Sequence, residues 1–292
     1  MLFRSEELTN LELDYSFLDL TNTPPIILQL MTSRGCNRGC VFCSAVHGKH
    51  VRAMPPEAVI RELKRFAEYA QTHGIDIENF CVVDFVDDDF FLAECGERGL
   101  EILRKWASDP GLAKLRVRHI QTSDNVFLEK HSDAAGKVQN EINTDFVQKL
   151  HALYGENNYI FSEMGLAIGT DAFTDEELAR QNKGYKFEDI LKVVVCLRHL
   201  GIPSIQYLIL TNIDTRLKDV LETIRNLAVA VDDRSFKEKT RLVILNGASE
   251  HRQDLTEGVI ELMRGSQDAN YILVNPGSVS SEDIDALRRV SR

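Results

Sequence analysis

The sequence predicts an α/β fold, a partial (β/α)6 barrel, and three observations carry that expectation. Strand-like and helix-like segments alternate along the 292-residue chain. Strands separated by helices pair in parallel through right-handed crossovers, which narrows the options to barrels and open parallel sheets. No glycine-rich phosphate turn follows the first strand, which argues against an open doubly wound sheet. A full eight-stranded barrel is the second option, if the last strand–helix pair joins the sheet.

Each element has a local reason. The apolar run 25–32 reads as a buried first strand. A helix over 55–73 is opened by Pro55 and Pro56, carries the stripe Val59, Ile60, Leu63, Phe66 and Ala67, and stops at Gly74. Strand two at 79–85, a helix at 93–108 and strand three at 115–122 follow. The polar stretch 131–140 reads as a loop insertion, ahead of a helix at 144–154 and strand four at 160–168. Thr174 opens a short helix whose first turn holds Glu176 and Glu177, where acids complement the helix dipole. A helix at 187–200 ends at Gly201; 204–210 is strand five, 217–231 its helix and 241–245 strand six. A helix at 255–264, a strand at 271–274 and a helix at 282–290, capped by Ser280 or Ser281, complete the chain. The expected division is an N-terminal extension (1–24), the barrel (25–250) and a C-terminal strand–helix extension (251–292).

Composition limits the partners. Hydrophobic residues make up 43% of the chain, enough for a sizeable core. The formal net charge is −11, and binding nucleic acid requires neutralising phosphates, so RNA or DNA is a poor fit. The most basic short stretch, Lys114-Leu115-Arg116-Val117-Arg118-His119, reads as an exposed edge or rim. No run is long enough to cross a membrane as a helix, and the charged N-terminus has no apolar signal core. The expected setting is cytoplasmic and reducing.

The chemistry concentrates in Arg34-Gly35-Cys36-Asn37-Arg38-Gly39-Cys40-Val41-Phe42-Cys43, with the spacing C-x3-C-x2-C. Three thiolates this close can hold three corners of a cubane iron–sulfur cluster and leave one iron open. An open metal position binds and activates a ligand, as it does in catalytic zinc sites. Zinc is the alternative, with His47 or His50 as the fourth ligand. Nothing marks the chain as secreted, which argues against a disulfide pair. Cys81, Cys95 and Cys196 have no local metal spacing, and Cys81 and Cys196 read as inert buried thiols. An auxiliary cluster would need the fold to gather all three.

Acidic and polar residues stand at the other strand ends. Asp84-Phe85-Val86-Asp87-Asp88-Asp89-Phe90 ends strand two, and four acids together are costly unless they meet cations or donors. A helix-capping acidic loop is the alternative reading. Gly165-Leu166-Ala167-Ile168-Gly169-Thr170-Asp171 ends strand four. Ser123, Asn125, Gln206 and Asn246 are further polar groups in or beyond the strands, where barrel enzymes bind substrates.

The cysteine run and its context resemble the signature of the radical S-adenosylmethionine (SAM) superfamily. That resemblance implies a partial TIM barrel, a 4Fe–4S cluster on Cys36, Cys40 and Cys43, and SAM chelating the open iron. It implies that Phe42 lies next to the adenine, and that Asp87 and Asp88 meet the SAM amino group. Their run is similar to the Asp-Asp-x-Phe version of cobalamin-associated members. Asp171 stands where the family often has a Glu that reaches the ribose hydroxyls, and is one methylene shorter. The segment from Asp175 to Tyr185, with Lys183-Gly184-Tyr185, resembles that which follows strand four in the same subgroup. Leu13 to Leu20 resembles the linker from a cobalamin-binding domain. The likeness covers roughly 12–230.

Only 35 residues precede Cys36, and the cobalt-ligand motif Asp-x-His-x-x-Gly is absent. Either an upstream cobalamin domain has been lost, or a separate cobalamin-binding chain is a partner, or the sequence is part of a longer protein. The family also implies an electron donor such as flavodoxin or ferredoxin. The expected reaction is reductive cleavage of SAM to a 5′-deoxyadenosyl radical that takes hydrogen from a small-molecule substrate. The alternatives are a peptide or RNA substrate, or a non-catalytic iron–sulfur or zinc protein.

Overall fold

The computed structural model describes residues 12–16, 26–41, 43, 49–132, 136, 138–156, 158–161, 165–209, 217–231 and 240–245. Six strands form one parallel sheet: β1 (Ile26–Leu30), β4 (Cys81–Phe85), β5 (Arg116–Thr122), β8 (Gly165–Asp171), β9 (Ser204–Ile209) and β10 (Thr240–Leu245). Two antiparallel pairs lie outside it, β2 (Ser33–Arg34) with β3 (Arg52–Ala53), and β6 (Leu128–Ser132) with β7 (Val138–Ile142). The helices are α1 (Pro56–Thr72), α2 (Ile77–Phe80), α3 (Glu97–Ser108), α4 (Thr144–Glu156), α5 (Asn158–Phe161), α6 (Asp175–Arg180), α7 (Phe187–His199) and α8 (Leu217–Val231).

In the main sheet, spatial order equals chain order, β1-β4-β5-β8-β9-β10. A doubly wound sheet reverses direction at a switch point; a sheet that advances without reversal is the partial-barrel solution. The helical layer packs on one face. Val59, Leu63 and Phe66 of α1 and Leu100, Leu103 and Trp106 of α3 share a core with Leu28, Val83, Phe85, Val117, Ile120, Leu166 and Ile168. Burying one such side chain contributes about 1.5–3 kcal/mol. A second cluster, including Phe173, Tyr185, Ile190, Val194 and Leu208, lies under α6 and α7.

Four local expectations change. The described part of the stretch 131–140 is not all loop: His131 and Ser132, and Val138 to Asn140, belong to the β6–β7 hairpin, paired from Leu128–Ile142 to Ser132–Val138. Its residues are mostly exposed, so the ladder forms without an apolar face and leaves little alternation to read. Strand four begins at Gly165, not at 160, because Ile160 and Phe161 bury from the short helix α5. Short apolar runs do not distinguish the two states. Strand two begins at Cys81, after α2, which Asp76 caps by accepting from Glu78 N. The Lys114–His119 stretch is no rim: β5 is the third of six strands, flanked by β4 and β8. The expected elements beyond 245, along with Phe42, His47 and Asn246, lie outside the described residues.

Candidate active site

A cavity of about 540 Å³ opens at the C-terminal edge of the parallel sheet. The loop after β1 supplies Cys36, Arg38, Cys40 and Cys43, and the turn after β4 supplies Asp88 and Asp89. Gln121, Thr122 and Ser123 close it at β5, Gly169 and Asp171 at β8, and Asn182, Lys183 and Gly184 from the turn after α6. Parallel barrels place their chemistry at this edge.

The cysteine loop is anchored at several points. β2 and β3 pair across its base, and Met54 N donates to Thr32 O at 2.8 Å. Gly35 and Gly39 adopt φ of 97° and 73°, left-handed conformations that let the chain turn between the thiols. Val41 N donates to Gln181 O at 3.3 Å, and Asn182 Nδ2 to Gly39 O at 3.2 Å, docking the loop on the turn after α6. Cys36 and Cys40 are partly buried and Cys43 is exposed; all three are free thiols. Burial pushes the Cys36 thiol up, against a backbone hydrogen bond from Arg38. Burial likewise raises Cys40, while Lys183 pulls it down. Both are therefore thiols at neutral pH, and metal binding would release their protons. Among the described residues no three His, Cys, Asp or Glu side chains converge on a single-ion position. Cys81 is buried, Cys95 exposed and Cys196 intermediate. His50 is exposed and not part of the cavity wall.

The acidic run divides into separate tasks. Asp84 takes a bidentate contact from Arg118, with Nε at 2.9 Å and Nη2 on the other oxygen. Asp87 does not face the cavity. It is fully buried and accepts from the hydroxyls of Thr32 (2.9 Å) and Ser33 (2.6 Å). Burial pushes its carboxyl up, and those two hydroxyls partly offset this. Asp88 lies on the cavity wall and accepts from Gly35 N at 2.9 Å. Asp89, which sequence reasoning passed over, also lines the cavity. It accepts from Thr122 and Ser123 (both 2.8 Å) and pairs with Arg38 at 3.3 Å. The acids thus meet donors of the cysteine loop and of β5. Helix capping does not account for them.

Asp171 ends β8 with φ 69°, a left-handed conformation that a non-glycine residue adopts at a cost. The β8–β9 register shifts between Gly169 and Asp171, so the carboxylate turns to the cavity. Its partner is Lys183, whose Nζ also donates to Gly169 O at 2.8 Å. Burial pulls Lys183 down, but the neighbouring acidic groups, Asp171 foremost, outweigh it and hold the ammonium up. In the sequence Lys183 stands out only within the Asp175–Tyr185 segment that carries the family likeness; its pairing with Asp171 has no sequence signal. Asn125 lines the cavity and donates to Lys183 O at 3.5 Å. Gln206 lies away from the wall, fully buried between Thr170 and Ser204.

Among the described residues, no helix is long and apolar enough to cross a membrane. No family model and no curated protein matches the chain. Solved structures do. The cobalamin-dependent SAM radical enzyme OxsB, with aqua-cobalamin and SAM bound, matches 69% of this chain at 17% identity and a TM-score of 0.53. The radical SAM methyltransferase TsrM from Kitasatospora setae, with cobalamin and a [4Fe–4S] cluster bound, matches 70% at 18% identity and a TM-score of 0.50. Coproporphyrinogen III oxidase (HemN) from Escherichia coli, a radical SAM enzyme, matches 91% at 15% identity and a TM-score of 0.51. The chain spans 26%, 34% and 53% of those three proteins. Its fold is that of the radical SAM enzymes.

Proposed function

We propose that the chain is a radical SAM enzyme acting on a small molecule. One observation carries the reading: the three cysteines of C-x3-C-x2-C line a single cavity at the C-terminal strand edge of this fold. The donor set fits the implied cofactor, because clustered thiolates suit iron–sulfur clusters. Cys36, Cys40 and Cys43 would hold a 4Fe–4S cluster. Such a cluster, once reduced, would supply one-electron reductive cleavage of bound SAM to methionine and a 5′-deoxyadenosyl radical, the species that would take hydrogen from substrate. Asp88 braces the loop through Gly35, and Asp89 fixes Arg38 on the cavity wall. Lys183 and Asp171 present an ammonium and a carboxylate to the same space, a match for the carboxylate, amine and hydroxyl groups of SAM. Phe42 is the aromatic candidate for the adenine.

A cavity of about 540 Å³ is the size of a small-molecule site, and the net charge of −11 disfavours RNA. A small electron-transfer protein such as flavodoxin or ferredoxin would supply the reducing electron. OxsB and TsrM are cobalamin proteins. Cobalamin is therefore added in the assay below as a candidate second cofactor. The test is anaerobic reconstitution with iron and sulfide, then dithionite, SAM and cobalamin, with 5′-deoxyadenosine measured by mass spectrometry. Formation above a Cys40→Ala control is expected. A colourless, zinc-loaded protein that gives none would overturn the proposal.

A further inference from the structure

The cysteine loop departs at Thr32, just past β1, and comes back at Met54, just ahead of α1, and one buried side chain holds both ends. Arg98, in the first turn of α3, is 2% exposed. It donates through Nη2 to Thr32 O at 2.9 Å and through Nε to Met54 O at 2.8 Å. Met54 N donates to the same Thr32 carbonyl at 2.8 Å, so three hydrogen bonds close the neck. On the Thr32 side, fully buried Asp87 takes the hydroxyls of Thr32 and Ser33 and attracts the guanidinium. A cation at this depth is expensive. An apolar side chain in its place would leave the Met54 carbonyl without this donor and buried Asp87 without its counter-charge. The planar fork, by contrast, reaches two carbonyls that are 22 residues apart in sequence and adjacent in space. A Lys ammonium would have to serve both carbonyls from one atom, without the fixed spacing of Nε and Nη2.

We propose that Arg98, with Asp87 balancing its charge, is a positioning residue that sets the neck of the cysteine loop and so the spacing of the three thiols. The assignment rests on the reading that Cys36, Cys40 and Cys43 hold a cluster. It goes beyond that reading by giving Asp87 a role outside the cavity and by adding a residue two elements away.

The test compares the wild type with Arg98→Lys and Arg98→Ala. Three quantities are read: the rate at which the reconstituted cluster loses iron to a chelator, the electron paramagnetic resonance spectrum of the reduced cluster, and melting of the iron-free proteins. Arg98→Lys should fold but melt below the wild type, release iron about 10–100-fold faster, in line with the loss in affinity on removing other supports of metal ligands, and show an altered spectrum. Added methylguanidinium should slow release from Arg98→Ala, whereas methylammonium should not. Wild-type release rates and spectrum in a folded Arg98→Lys would overturn the proposal, as would equal rescue by both cations. Should Arg98→Ala fail to fold, Arg98→Lys carries the comparison alone. Failure of the wild type to take up iron defeats the cluster reading instead. Amide exchange at Met54 in the iron-free proteins then decides the neck, with faster exchange in Arg98→Lys supporting the clamp and equal exchange sinking it.

Discussion

At the scale of single residues, buried charge makes the sharpest commitments. Asp124 is fully buried, and burial pushes its carboxyl up to about 6, while Thr170 donates to one oxygen at 2.9 Å and Lys183 pulls the other way. Folding therefore favours its protonated form. Its contribution to stability is complete below the unfolded value of 3.8 and is lost as pH rises through about 6. A displacement of that size corresponds to about 3 kcal/mol at neutral pH. Asp124→Asn should raise the urea midpoint at pH 7 and flatten its decline between pH 4 and 6. An unchanged pH profile in the variant would show that another group titrates there. Part of this residue set was readable in advance. Cys36, Cys40, Cys43, Asp88 and Asp171 carry their own spacing or strand-end position, and all five line the cavity. Asp89 and Lys183 do so too, but their partners are 33 to 51 and 12 to 14 residues away in sequence, and pairing at such distances has no local pattern.

At the scale of elements, α3 shows how packing overrides propensity. Gly99 sits inside this helix, where glycine costs about 1 kcal/mol relative to alanine. A Cβ there would meet the Phe91 ring at 2.5 Å and the Phe90 ring at 3.0 Å. Those rings interlock edge to face, Phe90 with Phe91 at 5.0 Å and Phe91 with Phe146 at 5.1 Å. Overpacking costs about 1–3 kcal/mol, so the clash outweighs the helix gain. Gly99→Ala should lower the free energy of unfolding by about 1 kcal/mol net; a more stable variant would show that the rings have room to move. The same aromatic pair follows the acidic turn directly, so the core packing of Phe90 and Phe91 holds Asp88 and Asp89 at the cavity. The helix start was less legible. Glu94 and Cys95 adopt φ of 53° and 51°, which breaks the 93–108 segment into a 3-10 turn and a helix beginning at Glu97. The β6–β7 hairpin was missed because its pairing residues are polar, whereas α1 and α7 were found because their apolar stripes repeat at helical spacing.

At the scale of the whole molecule, net charge and sheet order decide the most. With a net charge of −11, the chain offers phosphates little counterion release. Titration of labelled transfer RNA should give no salt-dependent anisotropy change at physiological ionic strength. A binding curve whose midpoint falls steeply with salt would revive the nucleic-acid alternative. The unreversed strand order puts the ends of β1, β4, β5 and β8 side by side. Residues from four separate connections thereby share one cavity.

By itself the sequence determined the strand–helix alternation, the parallel sheet and the three candidate ligands, because hydrophobic period and cysteine spacing are local properties. Tertiary structure alone decided which acids meet the cavity, that Asp87 turns inward to Thr32 and Ser33, and that Arg98 closes the loop's neck. The last two outcomes depend on contacts between residues 44 to 66 positions apart. Such contacts exist only once the sheet has brought the ends of its strands together.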